Sequence, residues 1–154
     1  MKSIRFNFLA FFLIFFLIGC QQNTATSKMQ YVDSKYKEGQ IWSYQTRSNE
    51  KESFLTILKV EKEAEGIIIH IAVDSAKIKN PNLKVGYSSS IGHLPFSKEA
   101  LNKSVTMLIS NNNEPPNYLD GYQEWRQAYN KGEAGIFSIT VAKAVAYVEE
   151  TMNK

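Results

Sequence analysis

This chain is poor in thiol and imidazole: its 154 residues include one cysteine and two histidines. A single cysteine excludes an internal disulfide and any thiolate metal cage, so the folded part must be stabilised by packing. His70 and His93 show no His-x-x-His or Glu-x-x-His spacing, so a zinc or copper site would require them to meet in space with a carboxylate. Glycine is sparse too, and Gly86 and Gly92 fit neither the Walker nor the Rossmann phosphate-loop spacing. "GYSSSIGH", residues 86–93, gathers serines beside a histidine but lacks the Gly-x-Ser-x-Gly elbow, which leaves a turn-rich loop as the expectation. The one long apolar run, 6–18, is interrupted by Asn7 and falls short of the ~20 residues that a bilayer span needs.

That run has the form of a secretory leader. Lys2 and Arg5 precede it, and "LIGC" (Leu17-Ile18-Gly19-Cys20) closes it before polar sequence begins. The tetrad resembles the bacterial lipobox. The resemblance implies cleavage before Cys20, a diacylglycerol on its thiol and acylation of the new amine. Two or more chains at ~0.8 kcal/mol per buried CH₂ would hold the protein to a membrane without a spanning helix. The expected location is therefore the cell envelope, on the periplasmic side of an outer membrane if the cell is Gram-negative.

Removing the leader changes the composition. Without Lys2 and Arg5, 16 basic residues face 15 acidic ones, a balance that gives no reason to expect nucleic acid as a partner. Six of the nine phenylalanines leave with it, so tyrosine dominates the remaining aromatics. The organisation expected is a leader over 1–19, a lipidated Cys20 with a flexible tether to 35, and a single domain over 36–154.

Hydrophobic period then sorts the domain. Residues 39–47, 53–60 and 67–73 alternate or run apolar between short polar turns, which predicts an antiparallel meander with Ile67, Ile69, Ile71 and Val73 on one face and His70 on the other. Residues 74–96 read as irregular, with a short strand at 76–79. Ser97 is a suitable N-cap for a helix over 98–110, where Leu101, Val105 and Leu108 fall at helical spacing. A second helix follows the Pro115-Pro116 break and ends at Gly132, and Thr140 is expected to cap a third over 141–152, after a returning strand at 135–139. Together these predict an α+β fold, a meander of three to five strands covered on one face by about three helices.

No catalytic, metal or cofactor site is assigned from these residues. Asp120 and Glu124 share a helix face and read as solvated charge beside Arg126 and Lys131, and Lys77, Lys79 and Lys84 as solvated loop charge. The stripe Tyr118, Tyr122, Trp125 and Tyr129 is the strongest candidate, since tyrosine and tryptophan carry polar tips and dominate recognition surfaces. It could wall a groove for a partner or ligand.

"GQIWSYQTR", "IIHIAV", "IGHLPFSKEALNKSV" and "GIFSITVAKAVAYVEE" resemble a group of small, uncharacterised bacterial proteins that share a W-S-Y-x-T-R opening and an H-L-P-F-S block. The resemblance implies no activity. It marks the block at His93 as a shared feature, either a structural corner or a site. The expectation is a non-enzymatic envelope binding module, such as an inhibitor or accessory subunit, attached through Cys20 and facing a protein partner. The alternatives are an envelope hydrolase built on His93 and a structural lipoprotein.

Overall fold

The computed structural model describes residues 31–154. The leader, Cys20 and the tether to Gln30 lie outside the described residues. Among those described, no helix is long and apolar enough to cross a membrane.

The elements in chain order are β1 (Ile41–Tyr44), β2 (Phe54–Glu63), β3 (Gly66–Asp74), β4 (Ile78–Lys79), β5 (Tyr87–Ser88), β6 (Ile91–Ser97), α1 (Lys98–Asn102), β7 (Val105–Ser110), α2 (Leu119–Asn130) and α3 (Val141–Met152). Five strands form one antiparallel sheet in the order β6-β3-β2-β1-β7, and β4 pairs with β5 as a separate hairpin. The α+β class and the antiparallel meander are as expected.

The strand β3 organises both layers. Ile69, Ile71 and Val73 point to one face and pack with Leu55, Ile57, Leu94 and Phe96, under α1 (Ala100, Leu101) and α3 (Val141, Ala144, Val145). Each such side chain removed from water contributes roughly 1.5–3 kcal/mol. Ile68, His70 and Ala72 alternate to the other face and are buried as well. That face is covered by α2, so the helices divide between the two sides instead of sharing the single face expected. The continuous apolar run "IIIHIAV" is the sequence trace of a strand covered twice.

Two bulges flank β3. On β2, Ile57 pairs with Ile71 and Lys59 with His70, which leaves Leu58 as an extra residue. On β6, Ile91 pairs with Val73 and Leu94 with Ile71, so Gly92 and His93 together oppose Ala72. An extra residue reverses which face the following side chains take. Downstream of Leu58, Val60 joins the core while Lys59 and Glu61 turn to the His70 face. The second bulge sends His93 to that same face.

Several expectations are corrected. The helix over 98–110 stops at Asn102, and Val105 to Ser110 form β7, hydrogen-bonded along β1. β-Branched Val105, Thr106 and Ile109 suit a sheet edge that β1 would otherwise leave unpaired. Residues 91–97 are a strand instead of loop. Pro95 is tolerated because β6 is the outermost named strand. The returning strand at 135–139 is reduced to one parallel bridge, Phe96 to Phe137, against the outer side of β6.

Ser97 caps α1 as expected, accepting from Ala100 N at 3.2 Å. Thr140 occupies the cap position of α3 without a side-chain hydrogen bond. The buried Ser104 hydroxyl serves instead, accepting from Val141 N at 3.0 Å and donating to Ala100 O at 2.8 Å. Asp33, placed in the tether by sequence, is buried and accepts from the backbone N–H groups of Lys35 and Tyr36.

Candidate functional site

His70, Glu61 and His93 come together beneath α2 although 9 and 23 residues separate the other two from His70. Nε2 of His70 is 2.9 Å from Glu61 Oε1, and Nδ1 is 2.9 Å from His93 Nε2. The two rings stack at 5.1 Å between centroids, and both Tyr122 and Trp125 meet His70 edge-on.

Glu61 has further partners. Tyr122 OH donates to its Oε2 at 3.1 Å, Arg126 pairs with its Oε1, and Lys59 stands 3.8 Å from its Oε2. The second arm of Arg126 reaches Glu63 at 2.8 Å, and its guanidinium lies 4.9 Å from the Trp125 ring centroid. Burial alone would raise the Glu61 carboxyl, but the His70 hydrogen bond, nearby positive charge and the Tyr122 hydroxyl together hold it below its ordinary value.

These contacts fix the protons. An ionised Glu61 only accepts, so His70 carries its proton on Nε2. His70 Nδ1 is then a lone pair, and His93 must donate to it through its own Nε2–H. Neutral His93 is left with Nδ1 as a bare acceptor. That atom has no hydrogen-bond partner among the described residues and is not buried. Burial, with His70 next to it, keeps His93 neutral by lowering it to about 4; burial lowers His70 too, against the pull of Glu61.

His93 opens on a cleft of ≈ 580 Å³ between β6 and α2, lined also by Asn117, Tyr118, Asp120, Glu124 and Trp125. Gly121 lets the helix come this close: a Cβ there would lie 3.2 Å from His93 Cβ. The arrangement can hold a hydrogen-bond donor at Nδ1, or take a proton there and relay it through His70 towards Glu61.

The two histidines thus do meet with a carboxylate, but nose to tail. Both nitrogens of His70 are occupied, and no group of three or more His, Cys, Asp or Glu among the described residues is arranged to hold a metal ion. Ser88 turns to the backbone of Ser90, away from any nucleophile–base pairing. The aromatic stripe faces mainly inward: Trp125 is buried with Nε1 donating to Gly135 O at 2.9 Å, Tyr122 is tied to Glu61, and Tyr129 OH donates to Glu65. Tyr118 and Trp125 form the cleft wall. Asp120 and Glu124 line the cleft as well, while Arg126 goes to Glu61 and Glu63. Lys77, Lys79 and Lys84 are exposed.

Sequence reasoning named His93 but missed its companions. His70 was expected at the sheet surface and is fully buried, and Glu61 was expected in a turn. The uninterrupted apolar character of β3 signalled that the His70 face is covered. Nothing in the sequence signalled Glu61, because only the bulge at Leu58 brings it to that face. No protein-family model, curated protein or solved structure matches this chain.

Proposed function

We propose that this protein is a lipid-anchored cell-envelope binding module, attached through Cys20, with the cleft between α2 and β6 as its ligand site. Support for the anchor is the basic start, the short apolar core and the lipobox. Support for the site is one observation: a buried relay fixes His93 so that an unpaired acceptor nitrogen faces a cleft of ligand size. The partner is a small molecule or a projecting side chain of an envelope protein, since the aromatic stripe is mostly turned inward and offers walls more than a flat surface.

The test is native mass spectrometry of the full-length lipidated protein released from its own membranes. A bound species near equal stoichiometry, lost in His93→Leu with the fold retained, is the expected result. An empty cleft in every preparation, including cross-linked ones, would sink the reading. Cys20→Ser should in parallel move the protein out of the membrane fraction.

The carboxylate–imidazole–imidazole relay favours a second reading, an envelope hydrolase in which His93 is the general base for a water. Turnover of envelope material that His93→Ala abolishes at unchanged melting temperature would support it.

A further inference from the structure

The donor and acceptor inventory of the cleft narrows what it can hold. His93 presents a lone pair, and Asp120 and Glu124 present carboxylates that only accept. Trp125 has one N–H, already committed to Gly135 O. Asn117 Oδ1 accepts from Leu119 N, which leaves its amide NH2 and the Tyr118 hydroxyl as neutral donors, and no Lys or Arg lines the cleft. The lining therefore offers two carboxylates and an open lone pair with no cationic group to balance them. The positive end of α2 opens nearby and would favour an anion, but Asp120 in the first turn already compensates it. An incoming phosphate or carboxylate would also meet two like charges.

Resting on the cleft as a binding site, the geometry points to a ligand that presents a protonated primary amine, donating to His93 Nδ1 and neutralised by Asp120 and Glu124. An ammonium group carries three donors and a positive charge, which match the His93 lone pair and the two carboxylates. The ring of Tyr118 adds a face that attracts a cation. A free diamine, a lysine side chain and an amino sugar all carry this group, and the volume admits each.

Calorimetric titration of the full-length protein in detergent micelles separates them, with cadaverine, N-acetyl-lysine methylamide and glucosamine as probes and N-acetylglucosamine as the uncharged counterpart. Saturable binding of at least one amine is expected, with glucosamine at least tenfold tighter than its acetylated form if the source is an amino sugar. The exposed substitutions Asp120→Asn and Glu124→Gln together should weaken the preferred amine about tenfold or more, at unchanged melting temperature. The rank order of the three amines identifies the source. Equal binding of charged and acetylated sugars, or a co-purified ligand without an amine, would overturn this inference while leaving the binding module standing. Binding of no probe, together with an empty cleft in native mass spectrometry, would overturn both.

Discussion

His70 Nδ1 lies 2.9 Å from His93 Nε2, with the rings stacked 15° from parallel. One of these nitrogens must hold the proton, and the Glu61 carboxylate on the far side of His70 decides which. Nitrogen-15 NMR of the imidazoles should therefore show a protonated Nε2 and an unprotonated Nδ1 in both rings at neutral pH. A reversed pattern in His93 would remove the acceptor from the cleft.

Replacing Glu61 by Gln keeps the shape and removes the charge. His70 loses a charged acceptor and Arg126 loses one of its two carboxylates, so a loss of about 2–4 kcal/mol is expected from urea denaturation. A loss below about 0.5 kcal/mol would mean that the network is incidental to the fold.

Acid should act in two stages. His93 is held at about 4 against an ordinary 6.5, so between those values the unfolded chain binds a proton that the folded chain refuses. Stability accordingly falls as pH drops from 6.5 towards 4, by on the order of 2 kcal/mol once partial exposure is allowed for. His70, also lowered, works in the same direction. The groups facing the pair are Glu61 and Lys59 on β2, and Tyr122, Arg126, Asp120 and Glu124 on α2. The second stage belongs to Asp33, which burial would raise but which Lys98 and the backbone N–H groups bring to about 2 against an ordinary 3.8. Its contribution is lost as pH falls from 3.8 towards 2. Denaturation midpoints across pH should show both limbs, with the first strongly reduced in His93→Phe.

Gly121→Ala sets helix propensity against contact. Alanine gains up to about 1 kcal/mol in a helix, yet its Cβ at 3.2 Å from His93 Cβ forces that side chain to give by a few tenths of an ångström. Net stability should stay within about 1 kcal/mol while the His93 imidazole resonances shift and ligand affinity falls. Unmoved resonances would show that α2 has room to spare there.

The cap of α3 can be tested by a pair of substitutions. Ser104→Ala removes the acceptor for Val141 N and should cost about 1–2 kcal/mol, whereas Thr140→Ala should be close to neutral. Equal effects at the two positions would return the cap to Thr140.

The pattern of success in reading the sequence is physical. β2, β3, α2 and α3 were legible because each carries its period over many residues. The segment at 105–110 was not, since Leu101, Val105 and Leu108 happen to satisfy helical spacing while their backbone is claimed by β1, far away in sequence. β6 was hidden by Gly92 and Pro95, residues that read as turn but serve a bulge and an outer strand. His93 was visible as a residue worth noting, and the aromatic stripe as a candidate wall. The relay was not, because local alternation puts Glu61 on the wrong side of its strand.

The two bulges make the site tolerant of a kind of change that would straighten its strands. Losing Leu58 would leave Lys59 opposite His70 and Glu61 opposite Ile68, and losing Gly92 would leave His93 opposite Ala72, so either deletion would turn an irregular strand regular with both flanking registers kept. Glu61 and His93 would then still stand on the His70 face. The relay in this protein is therefore carried by register and not by the irregularity itself, and it should survive a single-codon deletion at either bulge.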